Sequence, residues 1–287
     1  MEVYEYFGYN EDPFKVTPDQ RFLYMSEQVK EAIGKCEYMA SKRVGPVYMY
    51  GPMGGGKTTI LRRLNELLGD DERYNVLTMV APNVKQQNSI LRFIMDEWKV
   101  KTERSYMQSL KNFQDFLIEQ NTNGKVPVLL IDEAQNFSKG VLDLLHYLLN
   151  FETADFKLLQ IILVGQEELG VKILKYKQLA SRMFPISMRP MTLDEMREMV
   201  QFRLLVAGAK EPIFSDEESY KVLHDYTQGL PRDAVRVCSQ ILVKLLTTER
   251  KQADAQIVKE IAEENNLQIP EVHTPKVTLK TKKNEHI

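Results

Sequence analysis

Eight consecutive residues, Gly51-Pro52-Met53-Gly54-Gly55-Gly56-Lys57-Thr58, combine backbone freedom, a cation and a hydroxyl in the spacing G-x-x-x-x-G-K-[ST]. Glycines let successive N–H groups turn toward one point, and a helix N-terminus adds partial positive charge there. Such a cradle suits the phosphates of a nucleoside triphosphate. Lys57 would reach the β- and γ-phosphates, and the Thr58 hydroxyl would ligate Mg2+. Residues 51–58, with Thr59, are the expected nucleotide contacts. An apolar run (44–50) leads into the loop, and residues 59–68 follow with leucines at helical spacing. That is the strand, loop, helix order such a cradle requires, which a glycine-rich turn that binds nothing would not need.

A second cluster of chemistry closes the all-apolar run Val126-Pro127-Val128-Leu129-Leu130-Ile131, which continues into Asp132-Glu133-Ala134-Gln135. An all-apolar strand is covered on both faces, and open parallel sheets place ligands at the carboxyl ends of their strands. Asp132 would hold Mg2+, mostly through water, while Glu133 would orient and polarise the attacking water. Two adjacent acids could instead form a solvated turn; the phosphate loop upstream favours hydrolysis of ATP with Mg2+.

The elements that must carry these residues alternate. Residues 46–50, 75–80, 126–131 and 158–164 read as strands with helices between them, which implies an α/β core, a parallel sheet with helices on both faces. The stretch from about Ser89 to Gln120 fits helical spacing, and Lys139 to Phe151 reads as a short leucine-rich helix. After Pro190 the strand signals stop, and 193–207, 216–227, 232–247 and 253–265 read as helices. Four parts result: an N-terminal linker and helix (1–45, with Ser26 as N-cap of a helix to Ser41), the core (46–190), a small all-helical lid (191–267) and a flexible basic tail (268–287).

Composition limits the remaining options. Of 287 residues 43% are apolar and 27% charged, ordinary values for a globular chain. The net charge of −2 announces no global field for a polyanion, so such contacts would need local patches. Cys36 and Cys238 match no metal spacing and read as buried small hydrophobes rather than a disulfide. No apolar run approaches 18 residues and the start is acidic, which predicts a cytoplasmic chain with no membrane contact.

With both Walker motifs and a helical lid in place, the sequence resembles the AAA+ ATPases, and within them the ExeA/TnsC group of secretion-assembly ATPases and transposition regulators. Residues 7–19, Phe7-Gly8-Tyr9-Asn10-Glu11-Asp12-Pro13-Phe14-Lys15-Val16-Thr17-Pro18-Asp19, are similar to that group's opening pattern. The phosphate loop, Asp132-Glu133-Ala134-Gln135, Val164-Gly165-Gln166 and Gly229-Leu230-Pro231-Arg232 follow in the group's order. The likeness covers roughly residues 6–245.

The resemblance implies further roles. Gln166 would be a first sensor, its amide on the γ-phosphate or the attacking water, although a polar turn residue would look the same and Glu167 replaces the group's proline. Arg182 stands where the superfamily puts an arginine finger, with Arg189 as the competing choice. A finger donated across a subunit boundary makes hydrolysis depend on a homo-oligomer, a ring or a helical filament. Arg232 would be a second sensor reaching from the lid to the γ-phosphate, its helix restarted by Pro231 after Gly229. Pro13 and Phe14 would wall the adenine; Phe14 reads equally well as a core staple. Asn83 would be a polar switch toward Glu133.

For function, the resemblance implies an ATPase that oligomerises with ATP on double-stranded DNA and recruits or licenses a DNA-processing partner, a transposase first and another DNA-processing protein otherwise. Local clusters (Lys99, Lys101, Arg104; Lys172, Lys175, Lys177) and the tail lysines accompany that reading, though solvated helix faces carry such clusters too. The alternatives are an assembly ATPase of a secretion system and a helicase- or clamp-loader-type switch. The lack of a membrane span in these 287 residues favours DNA over secretion. A simple phosphate-loop kinase would not need the lid sensor or the finger.

Overall fold

Along the apolar runs, neighbouring residues point to opposite faces of one sheet, and each face meets its own helices. The computed structural model describes residues 2–15, 17, 19–81 and 86–269. Asn83 and the lysines of the tail (Lys276, Lys280, Lys282 and Lys283) lie outside the described residues.

The strands are β1 (Val47–Tyr50), β2 (Tyr74–Val80), β3 (Val126–Asp132), β4 (Gln160–Gly165) and β5 (Phe184–Ser187). They pair in parallel in the order β2-β3-β4-β1-β5. The helices are α1 (Val3–Tyr6), α2 (Glu27–Lys42), α3 (Lys57–Gly69), α4 (Gln87–Glu97), α5 (Tyr106–Thr122), α6 (Lys139–Leu148), α7 (Glu167–Lys175) and α8 (Lys177–Ala180), followed by α9 (Leu193–Val206), α10 (Glu217–Thr227), α11 (Pro231–Thr247) and α12 (Ala255–Glu264). Val128, Leu130, Ile162 and Val164 pack with α2 and α3. Their chain neighbours Leu129, Ile131, Ile161 and Leu163 pack on the other face with α4 to α7. A sheet buried on both faces explains why these strands read as unbroken apolar runs rather than alternating ones.

Three expectations need correcting. The stretch 89–120 is two helices, not one: Lys99 takes a left-handed φ of 56°, and the Val100 N–H closes α4 on the Met95 carbonyl at 2.7 Å. The edge strand β5 escaped notice because four residues with one buried side chain and a proline carry almost no pattern. The N-terminal segment is more than a linker, because Tyr9, Phe14 and Phe22 belong to the lid's apolar core, among Met196, Val200, Leu204 and Cys238. Among the described residues of the 1–45 stretch, α2, capped by Ser26 as expected, packs beneath the sheet, with Leu23 and Met25 against the same core.

Arg203 of α9 binds that N-terminal segment to the lid. Its guanidinium donates to the carbonyls of Pro13 at 2.8 Å, Phe22 at 3.2 Å and Lys15 at 3.3 Å, and lies 5.0 Å from the Phe22 ring centroid. Burial lowers its pKa to about 10, so it remains charged at neutral pH, with three carbonyls compensating its lost hydration. Cys36 and Cys238 are free and buried in different cores, and burial pushes both thiols up to about 12. Among the described residues no helix is long and apolar enough to cross a membrane.

Phe14, 1% exposed, makes a direct test of the shared core. Phe14→Ala is expected to destabilise the protein by about 3–5 kcal/mol in urea unfolding followed by circular dichroism. A loss below about 1 kcal/mol would mean that the segment does not hold the lid together.

Candidate active site

β1 ends at Tyr50, and the chain must then reverse tightly enough to start α3 at Lys57. Gly54 and Gly56 take left-handed φ values of 80° and 84°, which a side chain would oppose. Gly51 is needed for a different reason: a Cβ there would come within 2.4 Å of the Met188 carbonyl oxygen. The resulting loop opens on a cleft of about 510 Å³ between core and lid, bordered by residues 53–60, Asp132, Glu133, Gln166 and Arg232.

Lys57 is buried and bends back on its own loop, donating from Nζ to the carbonyls of Gly51 at 2.9 Å and Pro52 at 2.7 Å. Burial lowers its pKa from the ordinary value, while Glu133, Asp132 and Glu167 pull it up and Arg232 pushes it down. An ammonium held by neutral carbonyls among nearby acids is positioned to exchange those carbonyls for phosphate oxygens. In the first turn of α3, the Thr58 hydroxyl donates to Asp132 Oδ2 at 2.8 Å. Hydroxyl and carboxylate side by side form a hard-oxygen pair that fits Mg2+, an ion that typically takes one or two protein oxygens beside waters and phosphates.

At the end of β3 the backbone turns sharply. Glu133 takes a left-handed φ of 54°, and its N–H donates to Asp132 Oδ1 at 2.8 Å. This aims the Glu133 carboxylate into the cleft instead of along the sheet. Its Oε2 accepts from Gln135 Nε2 at 2.5 Å and from Gln166 Nε2 at 3.4 Å. Gln166 follows β4, so strand order brings it beside Asp132 and Glu133, as the sequence implied.

The lid supplies Arg232 at the start of α11. Its backbone N–H donates to the Gly54 carbonyl at 3.2 Å, and its Cβ would lie 3.2 Å from a Cβ on Gly54. The expected second sensor therefore stands directly over the phosphate loop. Pro13 and Phe14 are elsewhere: both are buried, Phe14 in the lid core, and neither lines the cleft. The chain turns back toward the cleft only after them, so the apolar end is bordered by Phe22, Leu23 and Tyr24 with Met191, Met199 and Val235. Sequence reasoning missed this wall; its one signal was the aromatic pair continuing the opening motif. It also assigned no role to Gln135.

Arg182 and Arg189 occupy opposite ends of β5. The parallel partners β1 and β5 begin together at Val47 and Phe184 and end together at Tyr50 and Ser187. Arg182 precedes that start, so a strand length of about 10 Å separates it from its own phosphate loop. It donates to Asn150 Oδ1 at 2.5 Å. Arg189 lies at the cleft end, but its guanidinium is committed to Glu195 at 2.6 and 3.0 Å. Lys172, expected in a basic patch, is committed too, donating to the carbonyls of Gln135 and Phe137.

Strand order, phosphate loop, strand-end acids and helical lid together define an AAA+ fold. The AAA domain family matches residues 41–171, from the end of α2 into α7. General secretion pathway protein A of Aeromonas hydrophila is 33% identical over 244 residues, covering 83% of this chain and 44% of the relative. The chain thus spans less than half the length of that curated relative. Among solved structures, Drosophila ORC bound to DNA is similar with a TM-score of 0.69 at 17% identity, over 93% of this chain and 67% of that one. The Aeropyrum pernix ORC2 protein, solved as ADPNP-ADP complexes, gives 0.61 at 14% identity, over 84% and 68%. At such identities these structures show the shared fold alone.

Lys57→Ala removes the charged donor that the loop presents. Affinity for a non-hydrolysable ATP analogue is expected to fall by about 10- to 100-fold in calorimetry, the equivalent of one charge-assisted hydrogen bond. Unchanged affinity would mean that the cradle does not hold the nucleotide.

Proposed function

We propose that this protein hydrolyses ATP with Mg2+ in the cleft between core and lid, and that the cycle switches assembly between copies of the chain. The observation that carries the reading is the 2.8 Å contact of Thr58 with Asp132, set beside Lys57 and Glu133 in one cleft. The loop N–H groups and Lys57 bind the phosphates. Thr58 and Asp132 would hold Mg2+, which would supply charge neutralisation to the phosphates. Glu133 accepts a proton from the water that attacks the γ-phosphorus, while the bond to the bridging oxygen breaks and ADP leaves. Gln166 steadies that water or the γ-phosphate, and Arg232 brings the lid down on it. The adenine lies toward Phe22, Leu23 and Tyr24, whose ring faces and apolar edges suit stacking and burial.

Arg182 cannot serve its own cleft from the far end of β5, and among the described residues its guanidinium is held by a neutral amide. Both facts support its donation to a neighbouring copy. Arg189, tied to a carboxylate and to the N-terminal turn of α9, is the weaker choice.

The likeness to general secretion pathway protein A favours an assembly role in a secretion-type system over target selection with a transposase. A missing membrane span does not discriminate, because the chain spans only 44% of that relative. The basic clusters add little to the DNA reading: Lys101 pairs with Glu103, and Lys172 is engaged at the Gln135 turn.

Glu133→Gln is expected to keep analogue affinity and lower turnover by about 100-fold or more, leaving an assembled ATP-bound form visible by light scattering. Turnover at the parental rate would remove Glu133 from the mechanism. Arg182→Ala and Lys57→Ala, each inactive alone, are expected to regain ATPase activity when mixed, since one supplies an intact cleft and the other an intact finger. A mixture as inactive as its components would exclude donation between copies. Salt-sensitive duplex DNA binding, seen only with the analogue, would restore the DNA reading.

A further inference from the structure

The turn after Glu133 contains a side chain with two fixed hydrogen bonds and no place yet in the chemistry. Gln135 Oε1 accepts from the backbone N–H of Gln166 at 3.1 Å. A backbone N–H can only donate, so this contact fixes which end of the amide is oxygen. Nε2 must then face the Glu133 carboxylate, and it donates to Oε2 at 2.5 Å.

The surroundings are built around that amide. A Cβ on Gly165 would lie 2.6 Å from Gln135 Oε1, so the glycine ending β4 leaves the space the amide fills. From α7, Lys172 Nζ donates to the Gln135 and Phe137 carbonyls, which anchors the backbone of the turn from both sides. Ala134, between the two functional side chains, is fully buried. Glu133 itself sits at a left-handed φ of 54°, a backbone conformation that persists when its surroundings fix it.

We propose that Gln135 is a positioning residue for Glu133, its amide pinned to the end of β4 and holding one carboxylate oxygen so that the other faces the water. The inference rests on Glu133 being the group that prepares water. Gln166 contributes a longer contact to the same oxygen at 3.4 Å, so a shift at the end of β4 moves both donors and the carboxylate together. Gln135 needs no contact with nucleotide to control the rate.

Gln135→Glu tests this with little change of size: it keeps an acceptor for the Gln166 N–H and loses the donor to Glu133. Turnover is expected to fall by about 10- to 100-fold, with ATP-analogue affinity within about threefold of the parent, less than one hydrogen bond is worth. The same substitution placed in Glu133→Gln, read as single turnover of bound ATP over hours, is expected to slow hydrolysis no further. A role in packing alone would slow both backgrounds alike, and that result overturns the proposal. Parental turnover of Gln135→Glu overturns it as well, as does loss of analogue binding. If Glu133→Gln turns over normally, the assignment of the base fails first and this inference with it. If Glu133→Gln is slow while Gln135→Glu is normal, only the positioning role falls.

Discussion

The Thr58 hydroxyl and the Asp132 carboxylate meet at 2.8 Å across 74 residues of chain, and the whole cleft is organised about that meeting. One comes from the first turn after the phosphate loop and the other from the end of β3, two strands away in the sheet. Parallel strands make such a meeting possible because all their carboxyl ends face the same edge. Glu133 and Gln166 arrive at that edge for the same reason. The acids, in turn, offset part of the lowering that burial imposes on the Lys57 pKa.

The lid is joined to this edge through backbone rather than through a flexible tether. Met188 runs so close to the phosphate loop that Gly51 has no room for a side chain, and Met191 runs equally close to Gly229, where a Cβ would approach its carbonyl at 2.3 Å. Between those two points lie the residues that connect core to lid. Arg232 adds a direct hydrogen bond to the Gly54 carbonyl. A phosphate gripped by loop and lid together would therefore pull on a short, sterically crowded connection, the physical basis for a two-state element driven by the nucleotide. Arg203 ties the carbonyls of Pro13 and Phe22 to α9, which joins the aromatic border of the cleft to the lid.

Several of these features were legible in the chain itself. The glycine loop between β1 and α3, the acids at the end of β3 and the restart of α11 at Pro231 are local devices, dictated by turn geometry within a few residues, and the structure has each at the place in the chain that spacing indicates. The central strands were legible because burial on both faces leaves an unbroken apolar run. β5 was not, since a short edge strand has one buried residue and a proline. The aromatics that border the cleft lie about eight residues beyond Pro13 and Phe14 along the same motif: an aromatic's type does not say which apolar surface it enters, and Phe14 enters the lid core alone while Phe22 belongs to that core and also borders the cleft with Leu23 and Tyr24.

What the sequence determined alone is the chemistry available: a cation, a hydroxyl, two acids and a glycine cradle, each set by its neighbours in the chain. Which groups act together was decided only by the tertiary structure. Gln135 lies two residues from Glu133, yet its role depends on a backbone N–H from β4, thirty-one residues away. Arg182 and Arg189 are seven residues apart and indistinguishable by type, but the length of β5 puts one beyond reach of its own cleft and Glu195 occupies the other. Local geometry is encoded locally; contacts between strand ends exist only once the sheet has formed.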